Sequence, residues 1–557
     1  MRRGLAAGGL AVLLLALTGC VGIPLSGGVN QGGLIEDQLD PEIQVLPEGP
    51  RAGSTPEELL RDFMQAVRGP QNGYEVAKEF LTTEFGQSWK PDAIAIIRTG
   101  ADVIASTATD TLSYTYTSRA SVDDQGRYTE QRDTSTQTVD FTFVKVGEEW
   151  RIASGPEGVV LSAASFMQAF TQEALYFFDP SYSYLVPDVR WFPSRPTTSR
   201  VVVEALLLGP SPWLGQGAVV TAFPESTKVG NDAVRVQSGT TVVDLTQEVI
   251  GATPQQQERM RQQLVATLDT PNLQLTVRGA EITVPAASAD GAQKNPTVAG
   301  ALLVGTGDQF GFIGGGAEVS PLTGLSGQVT AAGSLAATLS SDAQAVAVLD
   351  AAGAVAVARV GDDAATVLDT RPALVVPSID PFKFVWSASS SDASSLITFE
   401  LDGTPHDLQS GLPADSRIVS VDVSRDGARV LIGLDSPVGP QVLFAGVIRQ
   451  DNVPVRLGDL QSFPVSSGDI IDATWVDDRS VAVLAVAAGG EGASITQFAL
   501  GGPSVIRGSL EDATAIVGGN GGVDGLRVLR ANGEVWRPQG SGWVSTGVVA
   551  SFIATKQ

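Results

Sequence analysis

Only one thiol and one imidazole are available to this chain for chemistry, because its sequence holds a single cysteine, Cys20, and a single histidine, His406. A zinc site made of cysteine and histidine needs several such ligands. That class of site is therefore excluded, and so is a disulfide within the chain. A metal site built from carboxylates alone stays open.

Cys20 directly follows an apolar segment at the amino terminus. Arg2 and Arg3 precede the run Leu5–Leu17, and Thr18-Gly19 separate this run from the thiol. About 13 apolar residues are fewer than the roughly 20 that a membrane-spanning helix needs. The pattern predicts an export signal over residues 1–19 that is removed from the mature protein.

The end of this segment resembles the lipobox of bacterial lipoproteins, in which small residues flank a lipidated cysteine. The resemblance implies that Cys20 becomes the first residue and carries a diacylglycerol thioether and an N-acyl group such as palmitate. Two or three acyl chains anchor a protein stably. We therefore expect a lipoprotein on the extracytoplasmic face of the cell membrane; the alternative is an ordinary secretory signal that happens to contain a cysteine.

Residues 20–53 follow as a predicted tether, since they are rich in Gly and Pro and have no sustained apolar period. A flexible coil of this length has an r.m.s. reach on the order of 30 Å. We expect the folded part of the chain to stand away from the membrane by about that distance.

The charge balance excludes one class of partner. Without Arg2 and Arg3 the chain keeps 34 of its 36 basic residues against 61 acidic ones, a formal charge of −27. Such a field repels phosphate backbones and anionic headgroups. Nucleic acid is not an expected partner, and the surface is not that of a polybasic membrane binder.

Two segments superficially match known sites. Asp422–Gly427 resembles the start of a calcium loop, but Gly433 stands where the loop needs a bidentate glutamate. His406 lies in a turn-like segment, and no G-x-S-x-G elbow accompanies it. We predict neither a metal site nor a catalytic triad here, and we expect His406 on the surface.

Adjacent acidic residues invite a glycosidase interpretation, but neighbours in a strand point to opposite faces and neighbours in a turn are usually solvated. The pairs are Asp123-Asp124, Asp362-Asp363 and Asp477-Asp478. The glycine-rich stretch around Gly519 lacks the strand-to-helix setting of a phosphate loop. The sequence thus predicts no catalytic residues, no cofactor and no metal, and hence no enzyme.

The first folded domain is predicted over residues 54–185. Thr55-Pro56-Glu57-Glu58 is a capping-box signature that opens a helix with Leu59, Leu60 and Phe63 on one face. A second helical pattern and four strand-like runs follow, at 103–108, 111–118, 136–146 and 149–160. The order is typical of an α+β domain and resembles, at the level of architecture, the cone-shaped domains named after nuclear transport factor 2.

Seven aromatic residues lie between Tyr176 and Trp191-Phe192, a fifth of the 35 aromatics of the chain. Aromatic side chains carry much of the buried area at domain junctions. We predict that this cluster joins the first domain to the second; an exposed recognition patch for protein or glycan is the alternative.

The second domain is predicted over residues 186–290. Its sequence Glu204-Ala205-Leu206-Leu207-Leu208-Gly209-Pro210, followed by Phe223-Pro224, Val243-Asp244-Leu245, Ala266-Thr267-Leu268 and Val277-Arg278-Gly279, is similar in order and spacing to the GerMN domain of spore-germination proteins. That resemblance implies an accessory or scaffolding module without established catalytic residues. We expect Asp244 to cap or turn a strand end, not to act as a ligand or catalyst.

Residues 297–557 change to short Val/Ala/Leu strands separated by glycine-rich turns. The clearest unit is Ile418–Leu434, in which Ser424-Arg425-Asp426-Gly427 turns the chain. Looser copies recur at spacings that fit the blades of a β-propeller, about 40–50 residues each. We predict five or six blades, with seven possible if they are small; the turn resembles those of TolB-type and WD40-like propellers.

The complete order is a lipidated N-terminus, an NTF2-like α+β domain, a GerMN-like α+β domain and an all-β propeller, and it resembles the actinobacterial LpqB lipoprotein family. The resemblance implies association with the extracellular sensor domain of an MtrB-like histidine kinase, and influence on two-component signalling in cell division and envelope homeostasis. The alternatives from the residues are a cell-wall glycan-binding module or a glycan-processing envelope enzyme. Capture of partners by the protein would distinguish them.

Overall fold

The structure is a computed structural model that describes residues 47–557, with gaps at 286–290, 299–300, 315–317, 464, 466–467, 488, 491 and 520. The predicted signal segment, Cys20 and all but the end of the predicted tether lie outside the described residues.

The first module packs short helices against a five-stranded sheet of order β4-β3-β2-β1-β5. Its helices are α1 (Pro56–Ala66), α2 (Gln71–Lys78), α3 (Thr83–Ser88) and α4 (Ala163–Ala169), and its strands are β1 (Ile94–Ala108), β2 (Thr111–Asp123), β3 (Tyr128–Val146), β4 (Glu149–Ser154) and β5 (Val159–Ser162). All neighbours are antiparallel except β1 and β5, which are parallel.

Helix α1 begins as predicted. The Thr55 hydroxyl accepts from the Glu58 amide and the Glu58 carboxylate accepts from the Thr55 amide, with Pro56 at the first helical position. Its apolar stripe, with Phe63 at the centre, is buried against the sheet. The predicted single strand over 149–160 is wrong, because Gly155-Pro156 interrupts it and the chain crosses to the opposite edge of the sheet as β5.

The second module has two sheets. The hairpin of β6 (Phe170–Phe178) and β7 (Tyr184–Pro193) pairs with β12 (Gln293–Lys294), and the second sheet contains β8 (Val229–Gln237), β9 (Thr240–Leu245), β10 (Leu273–Val277) and β11 (Ala280–Glu281). The helices are α5 (Thr198–Leu208) and α6 (Pro254–Thr267), with 3₁₀ turns at Pro212–Leu214 and Gln247–Gly251. The predicted boundary at 185/186 falls inside β7.

The apolar run at residues 219–223 favours a strand, but no strand forms there in the described structure. Residues 219–223 form a single bridge, Val220 to Phe178, and not a strand. Val219 and Phe223 are nevertheless buried in the core of the module. An apolar run of this length indicates burial, and burial here is reached by an irregular segment.

The described residues of the third module form six four-stranded sheets arranged as blades. The first three blades are β16–β19 (Ala336–Leu339, Ala345–Leu349, Val355–Arg359, Thr366–Asp369), β20–β23 (Ser378–Ile379, Val385–Ser389, Asp392–Phe399, Pro405–Leu408) and β24–β27 (Arg417–Val423, Arg429–Ser436, Gly439–Gln450, Val453–Leu457, with β28 Gln461–Phe463 beside β26). The fourth and fifth are β29–β32 (Ile470–Trp475, Ser480–Val486, Ala493–Ala499, Ser504–Leu510) and β33–β36 (Ala513–Val517, Arg527–Arg530, Glu534–Gln539, Gly542–Val549). The sixth combines the last strand, β37 (Phe552–Lys556), with the first three strands of the module, β13 (Leu302–Gly305), β14 (Phe310–Ile313) and β15 (Val319–Pro321). The helix α7 (Ser326–Ala331) precedes the first blade, and a 3₁₀ turn, Gly522–Gly525, lies in the fifth.

The last strand closes the ring. β37 pairs antiparallel with β13 and so supplies the inner strand of a blade whose other strands come from the start of the module. It also pairs in parallel with β16, through Thr338–Thr555 and Leu339–Lys556. The inner strands contact one another in the cyclic order β16, β20, β24, β29, β33, β37.

Candidate functional site at the junction of the modules

The aromatic cluster predicted between Tyr176 and Phe192 lies on the hairpin β6–β7, named here the junction hairpin (residues 170–193). Five of its seven rings are buried: Tyr176, Phe177, Phe178, Trp191 and Phe192. Trp191 packs in the core of the first module, with its ring 4.8 Å from that of Phe166, whereas the other four belong to the core of the second. The prediction that they join these two domains is confirmed.

The same hairpin also contacts the propeller, which the sequence did not predict. The Trp191 indole N–H donates to the Gly501 carbonyl at 2.7 Å. The Tyr176 hydroxyl donates to the Asp478 carboxylate at 3.3 Å, and the Tyr184 ring meets Phe382 edge-on at 6.1 Å. Because the partners lie in two different blades, the contacts oppose rotation of the propeller about the hairpin.

A buried ion pair fixes the hairpin to the segment after α5. Arg190 and Asp188 are 2.7 Å apart, and their side chains are 0% and 2% exposed. The Asp188 carboxylate also accepts from the amide and hydroxyl of Ser211, while Arg190 donates to the Gly209 carbonyl at 2.8 Å. Buried charges are stable only when paired and hydrogen-bonded in this way.

The segment that starts at Ser211 then docks on the third blade. The Trp213 ring lies 4.9 Å from that of Phe444, edge to face. Gly446 and Gly458 face this segment so closely that a Cβ on either would lie 2.8 or 2.9 Å from the Trp213 carbonyl oxygen. Glycine is required at both positions by the close approach of two backbones.

On the propeller side, the predicted Ser-x-Asp-Gly turn carries a buried charge network. Asp426 pairs with Arg429, whose guanidinium lies 4.8 Å from the Trp475 ring centre and donates to the Asp478 carbonyl at 2.6 Å. Asp426 also accepts from the Ala428 amide at 2.9 Å, and it binds the hydroxyl of the serine that opens the turn. Its oxygens therefore close a turn and neutralise an arginine, which is the structural role expected for this segment.

The centre of the ring holds two buried carboxyls on neighbouring inner strands. Asp422 accepts from Thr474 at 3.0 Å and from the Trp475 amide at 3.1 Å, and its other oxygen binds the Gln557 amide. Burial raises the pKa of Asp422 to about 6. Burial likewise raises the pKa of Asp472 to about 7, although its carboxylate accepts from the Ile516 and Ala473 amides.

The acidic pairs behave differently from one another. Asp123, Asp362 and Asp477 each bind their own turn or a neighbouring arginine, as expected for solvated turns. Asp478 is an exception, because it is buried at the junction and burial raises its pKa. The expectation that both members of this pair are solvated is wrong: the junction hairpin covers the second one.

The two remaining candidates have structural contacts. Asp244 lies in β9 and accepts from the Thr276 hydroxyl at 2.7 Å and the Gly279 amide at 2.9 Å, so it holds the turn after β10, as predicted. His406 lies in the outer strand β23, not in a turn, with Nε2 2.9 Å from the Glu400 carboxylate. Its side chain is 26% exposed.

The sequence also missed an equivalent turn in the second blade. Asp380 accepts from the Phe382 and Phe384 amides and from the Trp386 indole at 3.0 Å, and it pairs with Arg449 of the next blade at 2.6 Å. Asp380-Pro381 occupies the position of Ser424-Arg425-Asp426 between the first two strands of its blade. In the sequence, this turn is marked only by an aspartate just before a strand. Such a short motif does not identify a blade turn on its own.

The described part of the chain lacks two further features. No group of three or more histidine, cysteine, aspartate or glutamate side chains has the proximity needed to hold a metal ion there. Nor does any helix in residues 47–557, outside the gaps, combine the length and apolarity needed to cross a membrane.

Three family models match the chain. The model for the N-terminal domain of lipoprotein LpqB matches residues 49–167, the model "Sporulation and spore germination" (Germane) matches 174–283, and the model for the LpqB β-propeller domain matches 314–550. The two LpqB models together cover more than half of the chain. Mixed α/β modules followed by a propeller are thus found both in the structure and in the family models.

Curated relatives carry the same family name. Lipoprotein LpqB of Cutibacterium acnes is 24% identical over 85% of each chain. Lipoprotein LpqB of Bifidobacterium longum is 29% identical, and the match spans half the length of each chain. Among solved structures, a putative TolB from Agrobacterium tumefaciens matches 41% of this chain and 86% of its own, with a TM-score of 0.31 and 11% identity.

Fold and junction together define a class: multidomain propeller proteins in which two α+β modules are fixed to the blades through a buried hairpin. Within that class, the chain belongs to the actinobacterial LpqB lipoprotein family. As the family's name states, its members are lipoproteins, and lipoproteins are envelope proteins anchored at a membrane.

Proposed function

We propose that the chain is a non-enzymatic binding protein, anchored through lipidated Cys20 on the extracytoplasmic face of the cell membrane. It binds the extracellular sensor domain of an MtrB-like histidine kinase and modulates two-component signalling in cell division and envelope homeostasis. Membership of the LpqB family and the lipobox-like sequence before Cys20 support the anchored location. The kinase partner is an inference from the family.

The observation that carries the binding role is the junction. Tyr176, Asp188 and Trp191 hold three modules together through buried contacts, so that surfaces from different modules keep fixed positions. A partner that contacts more than one module then loses less conformational freedom on binding than it would with a loosely linked chain. Four of the carboxylates that suggested hydrolysis are engaged in structural hydrogen bonds, those of Asp123, Asp362, Asp477 and Asp478, which supports a role in binding over one in catalysis.

The anchor is tested with Cys20→Ser. We expect this variant to leave the membrane fraction, because a free hydroxyl cannot form the thioether, whereas Ser26→Ala in the tether should remain membrane-bound. Retention of the Cys20→Ser protein in washed membranes would contradict the proposal.

The partner is tested by titrating the soluble Cys20→Ser protein with the purified sensor ectodomain of the cognate kinase. Saturable binding, and a changed rate of kinase autophosphorylation in membranes, are expected. Binding to purified cell-wall polymer in place of the ectodomain would favour the glycan-binding alternative, and release of soluble wall fragments would favour the enzyme. Either result would overturn the proposed partner.

A further inference from the structure

The first module contains a cavity of about 250 Å³, named here the cone cavity. It lies between helix α1, strand β5, the middle of β1 and the start of β2. Its lining comprises Arg61, Met64, Gln65, Arg68, Arg98 and Asp102, together with Ile104, Tyr114, Val160, Leu161 and Ser162. The volume is slightly below the range of about 300–1,000 Å³ typical of drug-sized ligands, so it suits a small organic molecule.

Three arginines line this one cavity, in a chain with 36 basic and 61 acidic residues. Arg98 is held 3.0 Å from Asp102, and Arg61 is held 2.9 Å from Glu57. The side chain of Arg68 is half-buried, and its guanidinium has no hydrogen-bond or ion-pair partner among the described residues. The cavity thus offers one guanidinium that no carboxylate of the described residues neutralises, on a side chain that is partly buried.

An irregularity in the pairing of β1 with β2 lies beside the polar residues Asp102 and Tyr114 of the cavity lining. The register of β1 against β2 shifts between Thr99 and Val103, so that extra residues, Asp102 among them, lie in a bulge. The Asp102 carboxylate accepts from the Tyr114 hydroxyl at 2.9 Å as well as from Arg98. Bulges commonly redirect side chains next to binding sites. Because Asp102 is paired with Arg98, the two charges offset each other and repulsion of an anion near Arg68 is reduced.

Met64, Ile104, Val160 and Leu161 form an apolar part of the wall, beside the polar Gln65 and Ser162. A single free guanidinium matches one negative charge, and its planar geometry matches a carboxylate through two parallel hydrogen bonds. We propose that the cone cavity binds a small monocarboxylate with an apolar body, the carboxylate on Arg68 and the body against the apolar wall. This binding site is independent of the kinase interaction proposed above.

The test is calorimetric titration of the detergent-solubilised full-length chain with 4-methylpentanoate. We expect saturable binding at neutral pH that weakens with added salt, and no binding of the neutral analogue 4-methylpentanamide. Arg68→Gln should weaken binding at least tenfold. Arg417→Gln, which removes an exposed arginine of the propeller, should bind like the wild type.

A second variant guards against a folding defect. Gln65 is exposed at the rim, so Gln65→Glu adds a negative charge with almost no change of shape and should also weaken binding. Equal affinity of the wild type and Arg68→Gln, or equal affinity for the acid and the amide, would overturn the proposal. Absence of any heat of binding at 50 mM ligand would do the same.

The source of the carboxylate is decided by a parallel titration with the peptide Gly-Gly-Leu, with a free or an amidated C-terminus. Binding of the free acid alone indicates a free metabolite, and comparable binding of the free-terminus peptide indicates a chain end. Both results support the site, because both require the carboxylate. Equal binding of the amidated peptide would contradict it.

Discussion

Two carboxyls at the centre of the propeller make its stability depend on pH in an unusual direction. Burial holds the pKa of Asp422 at about 6 and that of Asp472 at about 7, against an ordinary value of 3.8. Between about pH 4 and pH 7 the folded state therefore binds more protons than the unfolded state. Stability from these groups is fully present below pH 4 and is lost as the pH rises through 6 to 7.

Asp472→Asn removes one of these ionisations. We expect the free energy of unfolding of the variant to fall less between pH 4.5 and 7.5 than that of the wild type, since each unit of pKa shift corresponds to about 1.4 kcal/mol. Urea unfolding followed by tryptophan fluorescence at several pH values measures this. Asp415→Asn, at an exposed position, should follow the wild type; identical slopes for wild type and Asp472→Asn would refute the expectation.

The buried pair at the junction hairpin should be far more sensitive than an exposed one. Asp188→Ala leaves the Arg190 charge buried without its partner, and the loss expected from such a change is about 3–5 kcal/mol. Glu204→Ala removes an exposed partner of Arg200, and the expected loss is below about 1 kcal/mol. Chemical denaturation compares the two; a similar small loss for both would mean that the buried pair is dispensable.

At the scale of residues, the sequence predicted contacts that are local and missed those that are distant. The Thr55 capping box and the structural role of Asp244 followed from short motifs and strand ends. Asp478 was misassigned, because its burial depends on Tyr176, 302 positions away in the chain. No spacing rule connects residues so far apart in the chain.

The element on which the propeller depends most is its last strand. Deleting residues 552–557 removes the inner strand of the sixth blade and its pairing with β16. The sixth and first blades then lose the strand that joins them. We expect the truncated protein to be cleaved rapidly by protease within residues 302–321 and to lose cooperative unfolding of the propeller. Gln557→Ala keeps the strand and should stay resistant. Resistance of the truncated protein would show that ring closure does not depend on β37.

Strand patterns in the propeller could be predicted only where a strong turn marked them. Ser424–Gly427 joins the first two strands of its blade, and Ser340–Asp342 occupies the same position in the first blade. Asn532-Gly533 has the composition of a similar turn, but it joins the second and third strands of the fifth blade. Because these turns occupy different positions in their blades, the spacing between them does not fix the number of blades. Periodicity also cannot show that β37 closes the ring, because its partner strands lie at the other end of the module.

At the scale of the whole molecule, the order of modules could be predicted but their attachment could not. Composition and motifs separate α+β regions from a propeller, whereas the contacts of one hairpin with two blades depend on shape. Gly501 illustrates this: it reads as an ordinary turn glycine, yet it has φ +64° and lies against the backbone of β7. The fixed arrangement of modules rests on such close approaches.

Gly501→Ala should therefore loosen the propeller from the junction hairpin. A Cβ there would lie 2.5 Å from the Val189 carbonyl oxygen, a distance that real Cβ atoms do not tolerate, so the backbones must separate and weaken the neighbouring Trp191 hydrogen bond to Gly501. We expect calorimetry to resolve a second unfolding transition, small-angle scattering to give a larger radius of gyration, and affinity for the sensor ectodomain to fall.

Gly540→Ala is the matched control for this change. Gly540 also has a positive φ, +59°, but no atom lies within 4 Å of the Cβ position. Both substitutions carry the same backbone strain, about 1–2 kcal/mol for a left-handed alanine, and only Gly501→Ala adds a collision between modules. If the two variants share one transition, one radius of gyration and one affinity for the sensor ectodomain, then the modules do not act as a single framework, and binding depends on one module alone.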